Sequence, residues 1–329
     1  MKRVCIIVCY FGKLPNYFSL FLTSCKVNNE FDWLLFCDDD IEVYTIPDNV
    51  HVIKMSFTAI VDIIRNKLSQ KYVCKKPYKL CDYKPAYGVL FDEYLKEYDY
   101  WGHCDLDMIF GKLYPFLLYP LKKGYDKILS HGHLTLYRNS PSVNMRFKLS
   151  FSGIEADYVF KFDTSFGFDE KRGINRIYKE YGFSWWQNEH IFLDTKIPYH
   201  SSEITFYNIA NSKSQLPVIS NGHLYLYTIN DKNEIIRKEF AYIHLQKRKF
   251  TDIRNFEDSN CLIYPSDFIF KNTIQESDLQ IYKYKYYYSD LIQKKHFISI
   301  KYKIHIIINI LFFRKFALMK QRLSLIHIS

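Results

Sequence analysis

The sequence predicts an α/β fold built on a mostly parallel sheet. Three observations carry that prediction. VCIIVCYF at 4–11 is a continuous apolar run with β-branched residues, the pattern of a strand buried on both faces. YFSLFLTSCKVN (17–28) has helical spacing, and DWLLFCDDD (32–40) is a second strand ending in three acids, so strand, helix and strand follow within the first 40 residues. At 329 residues and 48% hydrophobic content, the chain can bury one large core with a smaller appendage.

The remaining elements follow in order. VHVIKMS (50–56) is a third strand and FTAIVDIIRNKLS (57–69) a helix. In KLCDYKPAYG (79–88), Pro85 is expected in the first turn of a helix running to about residue 97. YDYWGHCD (98–105) is the next strand, expected at the sheet's centre. Asp105 and Asp107 lie at its C-terminal end, where open α/β sheets bind ligands. LYPFLLYPLKKG (113–124) is helix-like; GHLYLYTI (222–229) and FAYIHLQ (240–246) are strand-like. A composition shift near 250 divides the chain into a main domain, 1–250, and a basic, mainly helical C-terminal extension, 251–329.

The formal net charge of +10 is concentrated near the end, where residues 291–329 hold Lys and Arg and no acid. No nucleic-acid-binding signature accompanies it, so nucleic acid is not an expected partner. A basic segment with apolar inserts such as HIIINILFF (305–313) suits an anionic membrane surface, and that insert is too short to span a bilayer. The eight cysteines form no CxxC pair and read as free thiols in a reducing compartment. MKRVCIIVCYFG reads as a first strand and not as a signal peptide. The expected location is the cytoplasm or the cytoplasmic face of the inner membrane.

Asp105 and Asp107 are the chemical centre of this reading. At positions i and i+2 of a regular strand, carboxylates point to opposite faces and converge only where the chain turns. Converged, they form an oxygen site suited to Mg²⁺ or Mn²⁺, with coordination positions left open for a diphosphate.

VCIIVCYFG, KLCDYKPAYG, YWGHCDLDMIFG and HGHLTLYRN together resemble bacterial polysaccharide glycosyltransferases of the GT-A type, with their Asp-x-Asp motif, over roughly residues 1–250. They resemble in particular uncharacterised, capsule-cluster-associated proteins of that kind. The resemblance implies a GT-A-like fold, a bound Mn²⁺ or Mg²⁺, a nucleotide-sugar donor (a UDP-sugar first) and a growing or lipid-linked cell-surface glycan as acceptor. It implies that Asp105 and Asp107 meet the metal or the ribose. His244, in IHLQKRKF, becomes the third ligand, with Lys247, Arg248 and Lys249 as phosphate contacts. That arrangement leans toward a retaining transfer.

Beside the resemblance, other residues suggest roles. The loop CYFGKLPNY can lay Gly12 backbone beside a base or ribose, with Tyr10 or Phe11 stacking on the base. One of Asp38, Asp39 or Asp40 could accept from ribose hydroxyls, or all three could be solvated. Lys79 and Lys84 lie at an expected helix start, which favours anions. Asp82 either holds a sugar hydroxyl, pairs with Lys79 or caps the helix. His131, His133 and Arg138 border a sugar or sit in a polar strand. Asp169, Glu170 and Glu189 are the candidates for deprotonating an acceptor hydroxyl. Trp185 and Trp186 form a sugar-stacking platform or belong to the core. Two rival readings are a nucleotidyltransferase acting on sugar phosphates and a non-enzymatic carbohydrate- or membrane-binding protein. GKLP after the first strand is a poor version of the Gly-rich basic loop the former needs.

Overall fold

The computed structural model describes residues 2–196, 204–211, 215–232, 234–246, 248, 250, 260–264 and 267–279. All of them lie in one compact unit, Met1–Tyr282. Most of the basic C-terminal segment and residues 247 and 249 lie outside the described residues.

Strands β1 (Val4–Tyr10), β2 (Phe31–Cys37), β3 (Val50–Lys54) and β4 (Tyr100–Cys104) run parallel. A short β5 (Met108–Phe110) leaves this sheet, and β6 (Lys127–His131) and β7 (Leu134–Arg138) return as a hairpin. With β8 (Trp185–Trp186) at the edge, the order is β3-β2-β1-β4-β7-β6-β8. Only β7 runs against the others, so the central sheet is mostly parallel, as the sequence predicts.

The run in β1 explains its central place. Val4, Ile6 and Val8 join one buried cluster with Phe18, Phe21 and Leu22 of the helix Phe18–Lys26. Cys5 and Ile7 join another with Ile60 and Ile64 of the helix Phe57–Lys67. Successive side chains point to opposite faces, so a strand with no polar residue needs an apolar layer on each side.

The expected helix from Pro85 to about 97 is a correction. The chain instead makes short turns: Pro77–Lys79, Leu80–Tyr83, Lys84–Ala86, Tyr87–Leu90 and Asp92–Tyr94. Pro85 lacks an N–H and cannot continue a helix that has already begun at Leu80. Gly88 then passes against Trp101, where a Cβ would come within 2.5 Å of the indole. That indole is fixed: it stacks on Tyr137 at 4.6 Å and donates from Nε1 to Asn144 at 2.7 Å. Gly88→Ala is therefore expected to destabilise the fold by about 1–3 kcal/mol through overpacking. Urea unfolding measures it, and an unchanged midpoint would show that Trp101 yields freely.

After β9 (Phe192–Asp194), strands β10 (Gln215–Ser220), β11 (His223–Ile229) and β12 (Ile235–Phe240) make an antiparallel meander. Next come β13 (Tyr242–His244), β14 (Asn260–Ile263) and β15 (Phe268–Lys271). β14 and β15 complete a five-stranded sheet, β12-β11-β10-β14-β15, beyond the composition shift at residue 250. β13 separates from it and inserts between β5 and β9 in a three-stranded sheet. That small sheet builds the site. No helix among the described residues is long and apolar enough to cross a membrane, and all eight cysteines are free.

Candidate functional site

A cleft of about 1010 Å³ opens at the C-terminal ends of β1 and β4, lined by Tyr10, Phe11, Asp105, Asp107 and His244 among others. β4 ends at Cys104 and β5 begins at Met108, so Asp105, Leu106 and Asp107 make the turn between them. Leu106 sits in the core, and its two neighbours face the cleft. Met108 of β5 pairs with His244 of β13, and Leu245 N–H donates to the Asp107 carbonyl at 2.8 Å. This register brings together residues 137 positions apart: ligand atoms of Asp105, Asp107 and His244 lie within 4.8 Å of one another. His244 Nε2 is 3.4 Å from Asp107 Oδ1. Two carboxylates and an imidazole at that spacing could hold a divalent cation.

Buried charge is balanced around this group. Lys84 Nζ donates to Asp105 Oδ1 at 2.6 Å and to the Gly132 carbonyl at 2.9 Å, and lies 3.5 Å from Asp169 Oδ2. Burial disfavours its ammonium, but Asp105 and Asp169 outweigh that and push its pKa up, so it stays charged. Asp169 is buried, and burial pushes its carboxyl up to about 7, against the pull of Lys84 and with the help of Glu170 and Asp105. Burial also opposes the charged form of His244. Hydrogen bonds to Asp107 and Asp194, with the charges of Asp107 and Asp105, prevail and push it up to about 10. His133 is held neutral, first by burial and then by His244 and His131. Its ring lies 4.5 Å from that of His244, and neither nitrogen has a hydrogen-bond partner among the described residues.

Asp169 gives a pH prediction. Its folded pKa of about 7 exceeds the ordinary 3.8, so between those values the native chain holds a proton that the unfolded chain releases. Stability from this group is therefore full below about pH 4 and falls as pH rises through about 7, by up to roughly 4 kcal/mol. Asp169→Asn should flatten that part of the stability curve, read from urea midpoints across the window. An unchanged slope would place the titration elsewhere.

A family model described as a family of unknown function (DUF6625) matches residues 6–272. The chain belongs to that family. No curated protein matches the sequence. Among solved structures, mouse xyloside xylosyltransferase 1 in its apo form is similar at a TM-score of 0.38 and 10% identity, over 60% of this chain and 90% of that one.

In this DUF6625 chain, the residues picked out by the sequence divide into two groups. Tyr10, Phe11, Lys84, Asp169 and Glu170 line the cleft with Asp105, Asp107 and His244. Gly12, at φ 106°, lies just outside its lining, where its N–H donates to Asp38 at 2.7 Å. Asp39 holds Leu14 N–H in the same way, so these acids pin the loop after β1. Glu170 accepts from Gly132 N–H at 2.7 Å, and Glu189 stands 3.3 Å from His131, which lines the cleft.

For Asp82 the structure shows the expected alternative of a pair with Lys79, and for Lys79 it corrects the expected anion contact. Both are fully buried and face each other at 2.8 Å. Lys79 also donates to the carbonyls of Val159 and Thr164, and Asp82 accepts from Phe166 and Phe168 N–H. They fasten the segment after 159 to the 77–94 turns and do not face a phosphate or a sugar. Trp185 donates to the Leu129 carbonyl and lies under Lys127 at 4.2 Å, while Trp186 packs against the core, so neither forms a wall of the cleft. Arg138 pairs with Asp126. Lys247 and Lys249 lie outside the described residues. Arg248 is buried, lines the cleft and donates to the Lys196 carbonyl at 2.6 Å. Sequence reasoning missed Asp194, 2.9 Å from His244 Nδ1. Its signal was an acid closing the apolar run IFLD (191–194), the same pattern that marks Asp105.

Proposed function

We propose that this chain is a metal-dependent glycosyltransferase that takes a nucleotide sugar, a UDP-sugar first, and delivers the sugar to a glycan acceptor. The observation that carries the reading is the convergence of Asp105, Asp107 and His244 at the ligand-binding end of the central sheet. The donor set, two carboxylates and one imidazole, suits Mn²⁺ and also admits Mg²⁺. A divalent cation held there supplies positive charge to a departing diphosphate.

The chain's own groups account for the rest. Lys84 keeps Asp105 in place and adds fixed positive charge beneath the site. Tyr10 and Phe11 form the wall on which a base can stack, and Asp38 fixes the Gly12 turn beside them. Asp169, titrating near 7 inside the cleft, is suited to hold or accept a proton at its carboxylate while the acceptor hydroxyl reacts. A retaining course would leave that proton to the departing phosphate instead. The anomeric configuration of the product separates the two.

The test is thermal melting with UDP, with Mn²⁺ and with both, followed by a panel of UDP-sugars screened for hydrolysis. UDP and Mn²⁺ together should raise the melting temperature more than either alone. Should UDP, GDP, CMP and dTDP all fail to shift a folded sample in the presence of Mn²⁺, the nucleotide-sugar reading is wrong.

A further inference from the structure

His244 carries two ring nitrogens, and the structure gives each a different carboxylate. Nε2 looks toward Asp107 at 3.4 Å, and Nδ1 lies 2.9 Å from Asp194 Oδ1. The reason is the register of the small sheet. β13 is its middle strand, with His244 opposite Met108 on one side and Asp194 on the other. The His244 carbonyl accepts from Thr195 N–H at 3.2 Å and from Thr195 Oγ1 at 2.8 Å, which locks the residue beside Asp194.

We infer that Asp194 is a positioning residue for His244: it accepts the Nδ1–H hydrogen bond and aims Nε2, which gives up its proton when a cation binds, toward the position beside Asp105 and Asp107. This rests on the metal reading above. A carboxylate only accepts, so a 2.9 Å contact from Nδ1 fixes the proton there. A metal-ligating imidazole whose far N–H is held by a carboxylate is both oriented and made more basic.

A second observation supports it. Gln246 Nε2 donates to the same Asp194 oxygen at 2.8 Å. To do so, Gln246 follows His244 by two residues in a left-handed conformation, φ 55°. Residues other than glycine adopt that conformation at a cost and keep it where surrounding contacts dictate it. Asp194 could instead act as a ligand itself, since its carboxylate, His133 and His244 also have ligand atoms within 4.8 Å of one another. The two donors already on Oδ1 favour the orienting role.

The experiment compares wild type, Asp194→Ala and Asp194→Asn in the full chain. Mn²⁺ affinity is read from the EPR signal of free Mn²⁺, with UDP present. Asp194→Ala should weaken Mn²⁺ by about 10- to 100-fold. Asp194→Asn keeps an acceptor oxygen for Nδ1–H and should recover most of that loss. A merely structural defect would not give that recovery. In the ¹⁵N spectrum of the Cd²⁺-loaded protein, His244 should carry its proton on Nδ1 and its metal on Nε2. Equal Mn²⁺ affinity in wild type and Asp194→Ala, or Cd²⁺ on Nδ1, overturns the inference and leaves the metal reading standing. Wild type that binds neither ion overturns both.

Discussion

Under the proposed function, Asp107→Asn is expected to lower sugar transfer about 10³-fold, the rate equivalent of roughly 4 kcal/mol, and to abolish the joint stabilisation by UDP and Mn²⁺. The substitution keeps the shape of the turn and removes one negative ligand. The backbone link from Leu245 N–H to the Asp107 carbonyl is untouched, so His244 should keep its place. Buried apolar neighbours, Leu106 and Met108, hold the turn from both sides. The melting temperature without ligands should fall only modestly, because the buried His244 loses one carboxylate partner and keeps the other, Asp194. This combination separates loss of a ligand from loss of fold. Transfer that survives Asp107→Asn within about tenfold would remove the cation from the mechanism, since a bound metal contributes several kcal/mol where it acts.

Lys84→Met is expected to cost about 3 kcal/mol of stability, on the order of 5–10 °C in melting temperature. Lys84 is buried beside Asp105 and Asp169, and removing it leaves both acids without their cation. Breaking a buried pair from one side costs about 3–5 kcal/mol. The low end applies because the Asp105 side chain is 37% exposed and water screens part of its charge. The Asp169 carboxyl should rise further, as the one charge pulling it down is gone. Lys84→Met with Asp169→Asn should recover part of the loss by removing the buried acid. The double-mutant cycle measures it, and strict additivity of the two changes would show that the groups do not interact.

Much of this architecture was legible in the chain. VCIIVCYF could be placed at the sheet's centre because an uninterrupted apolar strand has to be covered on both faces. The Asp105–Leu106–Asp107 turn was legible because an acid, an apolar residue and an acid after a buried strand place the apolar residue inward. The 77–94 segment was not. Lys79 and Lys84 are alike in type and stand on either side of Asp82, yet Lys79 is sealed in the core and Lys84 reaches the cleft. Nothing in local spacing separates them, because the separation depends on where Val159 and Thr164 return to accept from Lys79.

The sequence by itself determined the parallel sheet, its first strands and the two acids at the end of β4, because periodicity and strand-end position act over a few residues. Tertiary structure alone decided which distant groups meet those acids. His244 came from a resemblance and Asp194 from nothing in the reading. Both are placed by β13 leaving the meander to pair with β5 and β9. Strand pairing between residues far apart is set by the packing of whole sheets and by register, in which a slip of one residue would turn His244 to the other face.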